Sequence, residues 1–220
     1  MFSSEVVKML YTGIWETLYM TLVSTLVGYV IGLPLGVTLA VTGKGGIREN
    51  KVVYRILDVI SNVIRSIPFL ILLILIIPLT RFLVGKSYGS SATIVPLVIA
   101  AAPFIARMVE SSLLEVDHGV IEAAQSMGAN LWTIIWKVML AESRTSLLVN
   151  ATIALGTILG YSAMAGAVGG GGLGDIAIRY GYYRYQTDIM LVTVVLLVLL
   201  VQLLQYIGMT ISKKLDKRTR

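Results

Sequence analysis

Polar and apolar positions in this chain separate into long blocks rather than alternating. Residues 17–43, 66–80, 88–106, 145–174 and 189–212 contain no Asp, Glu, Lys, Arg or His, and the charges collect between them. A membrane helix needs about 20 apolar residues, within a range of about 17–25. Four of the runs reach that length. The second is short alone, but the apolar stretch from Ile56 extends it if Arg65 snorkels to the interface. The pattern therefore predicts an all-α membrane protein with five transmembrane helices, at about 13–41, 56–80, 90–112, 145–168 and 189–211.

Small residues and prolines give these spans texture. Gly28, Gly32 and Gly36 stand four apart on one face of the first, a stripe that lets another backbone approach closely in lipid. It reads as packing within the chain ahead of a seam between two copies. Pro34 is expected to bend that helix, and Pro68, Pro78, Pro96 and Pro103 to interrupt the next two. Such breaks are tolerated where neighbouring helices or water satisfy the freed backbone groups. Arg65 and Arg107 lie near span ends and read as snorkelling anchors. Span four runs into "AMAGAVGGGGLG", where Gly166 and Gly169, Gly170, Gly171 and Gly172 should unwind the helix. Just before them stands Met164, whose flexible thioether is suited to closing a narrow path. Tyr161 and Ser162 are further pathway candidates.

The segment between spans three and four differs from the rest. Asp117 is placed to cap a helix "VIEAAQSM", Gly128 to end it in a left-handed turn, and Asn130 to cap a second helix "LWTIIWKVML". Leu131, Ile134, Ile135 and Val138 form the apolar stripe of that second helix. The first helix is too small and polar on its exposed side to hold lipid. A knob for docking another protein fits it better than a lid on the membrane surface.

Charge orients the whole. Only 14% of the 220 residues are charged, against about 25% in an average soluble chain. Lys44, Arg48, Lys51 and Arg55 follow the first span, and Lys213, Lys214, Lys217, Arg218 and Arg220 follow the last. With five spans both groups lie on one side, joined there by the 107–144 segment. The positive-inside rule makes that side cytoplasmic and puts the amino terminus outside. The net charge of +6 is this bias and calls for no nucleic acid. Cysteine is absent, which removes disulfides and thiolate metal sites. The first apolar run is too long for a signal peptide and should stay as an anchor. A single transmembrane domain over 1–220 accounts for the chain, with a cytoplasmic loop at 117–141.

Reactive chemistry is missing. "GKS" at 85–87 follows Thr80 where a phosphate-binding loop needs its first glycine, and "TGKGG" at 42–46 lacks the pattern as well. Ser162 in "GYSA" has no base: the lone histidine, His118, falls in the cytoplasmic loop, and no lysine or carboxylate pair is expected in a span. The absence of an acid or histidine at a span centre disfavours a proton-driven carrier. Proline-broken and glycine-unwound spans argue for moving parts over a non-transporting membrane scaffold.

"EAAQSMGA", with Glu122, Ala123, Ala124, Gly128 and Ala129, followed by Leu140, resembles the EAA loop of permease subunits of binding-protein-dependent ABC importers. In that family the loop forms the coupling helix that seats in the ATP-hydrolysing subunit. The family's Leu-Pro is here Leu140-Ala141, which leaves the following chain direction less rigidly set. "GIWETLYMTLVSTLVGYVIGLPLGV", "IRSIPFLILL", "IVPLVIAAAPFIARMVESSLLEV" and "LGYSAMAGAVGGGGLGDIAIRYGY" are together similar to the methionine-uptake branch. The resemblance implies a homodimer in lipid at the bacterial inner membrane. It also implies two ATPase subunits below, which carry ATP and Mg, and a substrate-binding lipoprotein above. This chain would hold no cofactor and catalyse no reaction. It would move methionine, in the L-form and with the D-form as a candidate, by alternating access. Another amino acid or small solute is the alternative cargo. The stretch 174–188 reads as an interfacial belt, with contact to the binding protein through Arg179 and Arg184 as the less favoured alternative.

Overall fold

The computed structural model describes residues 3–215, and among them the chain forms helices and turns but no strand. Ser3 caps α1 (Ser4–Thr42) by accepting from the Val6 N–H, and the helix runs 39 residues through Pro34 as one element. It begins well before the predicted span because Ser3 supplies the cap there and a helix can extend beyond its apolar run.

The second span is interrupted. Asn50 caps α2 (Lys51–Ser66), which breaks at Ile67 and Pro68 and turns by 101° into α3 (Phe69–Leu75). α4 (Ile77–Val84) follows and ends on left-handed Gly85. Proline at 68 disfavours helical backbone at 67, so the chain takes extended dihedrals there (Ile67 ψ 124°) and leaves in a new direction. α2 is also amphipathic, with Val52, Ile56, Val59, Ile60 and Val63 exposed on one face. The interruption expected at Pro68 in the 56–80 span is thus present, as a 101° bend that makes the span a bent arm.

α5 (Ser90–Leu114) keeps its helix through both Pro96 and Pro103, contrary to the expected interruptions. Both prolines are buried against neighbouring helices, the setting in which a missing hydrogen bond is tolerated. α6 (His118–Ser126) leads to the short α7 (Leu131–Thr133), a π-helical turn at Ile134–Met139 and α8 (Leu140–Glu142). The wider turn replaces the expected α-helix and brings buried Ile134, Ile135 and Met139 to one face. Ser143, whose Oγ donates to the Met139 carbonyl, alone separates α8 from α9 (Arg144–Ala165). A 3-10 turn at Gly166–Val168, α10 (Gly172–Ile176) and a second π turn at Ala177–Tyr182 precede α11 (Thr187–Leu215).

Among the described residues, four helical stretches are long and apolar enough to cross a membrane, or five if the bent α2–α3 pair counts as one. Contacts give their relative directions. Gly28 lies on Ala101, Gly32 on Ala102 and Gly36 on Ala106, so α1 and α5 run parallel. Asn150 donates to Met108 O while Gly170 O meets Thr93, so α9 runs antiparallel to both. Gly208 packs on Thr152 and Ser212 bonds Thr145 O, which makes α11 antiparallel to α9. One apolar core, including Leu97, Ile105, Val109 and Ile158, runs between α1, α5 and α9 and continues to Ile121 and Ala124 of α6.

Candidate coupling surface and translocation path

The 117–141 segment is built by its caps. Asp117 Oδ1 accepts from Gly119 N at 2.7 Å and starts α6. Gly128 ends it at φ +78°, with Gly128 N bonded to Gln125 O and Ala129 N to Ala124 O. That pair of bonds is a Schellman closure, and the αL residue it needs costs glycine nothing. Asn130 Oδ1 then accepts from Thr133 N at 2.8 Å. Ile121 and Ala124 face inward with Ile134 and Ile135, while Glu122, Ala123 and Gly128 are exposed and Ala129 is half-buried. Val120, Met127, Trp132 and Trp136 are exposed beside them, Met127 to 81%. Glu122, Ala123 and Gly128 therefore face outward, whereas Ala124 sits at the helix–helix seam.

The pathway candidates diverge. Met164 is 55% exposed on α9. Tyr161 is half-buried, its ring stacked on Phe69 with centroids 4.7 Å apart and planes 5° from parallel. That contact joins the α9 face carrying Met164 to the residue directly after the 101° bend. Ser162 is buried, and its Oγ donates to Leu159 O at 2.8 Å, so it faces the chain's own interior.

Beyond Met164 the glycines form a clamped elbow. Gly169 and Gly171 take positive φ. Gly89 N donates to Gly169 O at 2.9 Å, and Thr93 Oγ1 reaches Gly170 O. Glu16 Oε2 accepts from Gly172 N at 2.7 Å, and Thr17 Oγ1 accepts from Leu173 N at 2.9 Å. The short helix beyond doubles back so closely that Gly174 lies on the Ala163 carbonyl, a position with no room for a Cβ. Outside this elbow, Arg179 pairs with Asp175, Arg184 covers the Tyr180 ring, and Tyr182, Tyr183 and Tyr185 are exposed.

Sequence reasoning missed two sets of residues. Glu16 is an acid just before an uncharged run, and its partners lie 156 positions away. Arg107 is not a snorkelling anchor. Its guanidinium, 15% exposed, bonds Asp58 of α2, Asn62, and Glu110 at 2.6 Å. Asp58 and Glu110, on separate helices, share this arginine. Burial explains the choice: a guanidinium inside the fold must be paired, and its planar fork serves two carboxylates. The one readable signal was an acid three positions after Arg107.

The family model described as "Binding-protein-dependent transport system inner membrane component" matches residues 32–220. A probable D-methionine transport system permease protein, MetI, of Vibrio cholerae is 52% identical over 96% of this chain and 93% of its own length. The methionine import system permease protein MetP of Bacillus subtilis is 50% identical over 95% and 94%. Among solved structures, an inward-facing MetNI methionine ABC transporter contains a chain that superposes with a TM-score of 0.97 and 51% identity, covering 98% of this chain and all of that one. An amino acid ABC transporter crystallised with histidines shares the fold at a TM-score of 0.79 and 18% identity.

Proposed function

The chain belongs to the binding-protein-dependent transport system inner membrane components, and from that premise we propose that it imports methionine as the permease subunit of an ABC transporter. The observation that carries this reading is near-complete superposition on the permease-like chain of a methionine ABC transporter at 51% identity. The chain is a transport component and catalyses no reaction. ATP and Mg belong to two partner subunits.

In the working assembly two copies form the pathway in the bacterial inner membrane. Each crosses five times, with the bent α2–α4 arm as the second crossing. The parallel packing of α1 and α5 supports this count, because residues 43–89 must return the chain to the side where α1 began. Lysine and arginine bias then puts the amino terminus outside and α6 in the cytoplasm. Glu122, Ala123, Gly128 and Ala129, with exposed Met127, form the surface that docks each ATPase, while Ala124 fixes it to α7 and the π turn from behind. A substrate-binding lipoprotein delivers methionine from outside, and closure of the ATPase pair moves the docked helices to alternate access. Met164 is the gate where the two copies meet. Tyr161, through its stack on Phe69, ties that gate to the bent arm, and Ser162 sets the helix behind it.

Labelled L-methionine uptake tests the function. The chain is expressed with its neighbouring ATPase and lipoprotein in cells lacking a high-affinity system, and unlabelled D-methionine and other amino acids compete. ATP-dependent uptake that methionine suppresses and other amino acids do not is the expected result. Uptake indifferent to excess methionine overturns the cargo.

A further inference from the structure

We propose that Glu16 and Thr17 are positioning residues that lock the glycine elbow of the fourth span to the first, and so keep the gate at Met164 in step with ATP hydrolysis. The inference rests on the transport reading above but uses contacts that reading does not need. Two adjacent α1 side chains take the first two N–H groups of α10: Glu16 Oε2 from Gly172 and Thr17 Oγ1 from Leu173. Thr17 also donates to Gly13 O at 2.8 Å, which fixes the direction of its acceptor lone pairs. Gly172 and Leu173 are buried, so these N–H groups have no water to fall back on. Among the described residues Glu16 forms no ion pair, so its carboxylate is directed at backbone alone.

Backbone conformation is matched to this use. Gly171 and Gly172 sit at φ +83° and +75°, where side chains are disfavoured. A Cβ on Gly171 would stand 2.8 Å from Glu16 Oε2, and one on Gly172 2.7 Å from Thr17 Oγ1. The glycines thus do more than loosen a helix. They clear the approach for the carboxylate. The opposite side of the elbow is held by Gly89 N and Thr93 Oγ1 at the start of α5. α9 consequently ends on a segment gripped by both α1 and α5, a few residues past Met164. A gate on that helix moves only if the grip moves with it.

The test uses the full transporter in proteoliposomes. It measures methionine moved per ATP hydrolysed, and hydrogen–deuterium exchange over 169–175. Glu16→Ala is expected to speed exchange there about tenfold, the loss that follows when a charged acceptor leaves a buried N–H unpaired. It should also lower the transport-to-hydrolysis ratio about as much, with ATPase docking intact. Glu16→Gln keeps an acceptor oxygen and should remain within about twofold of the parent in both. If Glu16→Ala fails to assemble, Gly171→Ala attacks the same bond from the other side and should uncouple likewise. A normal ratio in either destabilised variant, or a Gln variant as damaged as Ala, overturns the proposal. Should the parent complex hydrolyse ATP yet move no methionine, the transport reading falls. The exchange comparison then still decides whether the clamp exists.

Discussion

The parallel seam between α1 and α5 makes a graded prediction at one helix face. Replacing Gly28, Gly32 or Gly36 by Ala adds the same methyl group in three surroundings. At Gly28 its close contacts are Ile105 Cδ1 at 3.0 Å, whose tip can rotate aside, and Ala101 Cβ at 3.2 Å, with the nearest backbone atom an ordinary 4.0 Å away. At Gly32 it meets the Ala102 carbonyl at 2.8 Å, and at Gly36 the Ala106 carbonyl at 2.5 Å with Val109 Cβ at 2.6 Å. An ordinary carbon–oxygen contact lies near 3.3 Å, so Gly36→Ala must part the two helices by about 0.8 Å. A gap of that size forfeits roughly a quarter to a half of each dispersion contact it opens. Overpacking costs about 1–3 kcal/mol, while the better helix propensity of Ala returns about 0.5–1. Gly36→Ala should therefore lose about 1–2 kcal/mol net, Gly32→Ala somewhat less, and Gly28→Ala stay near neutral. The assay heats the purified transporter in detergent and follows the monodisperse fraction by size exclusion. At about 2–4 °C per kcal/mol, the Gly36 variant should melt roughly 2–8 °C early. Equal losses at all three positions, or the reverse order, would refute the reasoning from contact distance.

Removing the Arg107 charge leaves buried Glu110 and the partly exposed Asp58 without their shared cation. Arg107→Met should cost about 1.5–3 kcal/mol and reduce recovery of folded transporter. Adding Asp58→Asn and Glu110→Gln should restore most of it, and no recovery in the triple variant would show that packing rather than charge is at stake. At the docking surface, Gly128→Asp keeps a tolerable left-handed turn but plants a charge there. ATP-driven uptake should drop about tenfold, equivalent to about 1.4 kcal/mol of interface energy, with the protein still in the membrane. Normal uptake would argue against a docking role for this turn. Cysteines at Met164 in both copies should cross-link in at least one nucleotide state, and no cross-link in any state removes Met164 from the gate.

Features set by short stretches of chain were legible beforehand. Asp117, Gly128 and Asn130 announce their caps within a few residues, and the structure gives each the expected partner. The uncharged runs likewise located α1, α5, α9 and α11 to within a few residues except at the start of α1, where lipid-spanning length and helix length differ. What stayed hidden depends on distant contacts or on direction. Pro68 signalled a disturbance, but an apolar run reads the same whether straight or bent by 101°. Arg107 looked like an anchor at a span end, and Glu16 carries no local sign of its role, because their partners Asp58 and Gly172 lie 49 and 156 positions away. Ala124 belongs to a motif whose letters look equally exposed, yet helical phase turns it toward Ile134 and Ile135.

The close packing of α1 on α5 also has a mechanical meaning. α5 continues into α6 after residues 115–117, and α1 is seated on α5 by three glycines, so the pair behaves as one stiff lever rather than two tethered rods. From Gly36 to Glu16 its arm is roughly 30 Å at 1.5 Å per residue, about the thickness of the hydrocarbon layer. Rocking that arm by about 5° displaces its far end by about 3 Å, half a helical turn. With α6 docked as proposed, a small rotation imposed there would thus arrive undiminished at the far end of the arm, with no rearrangement required along the way.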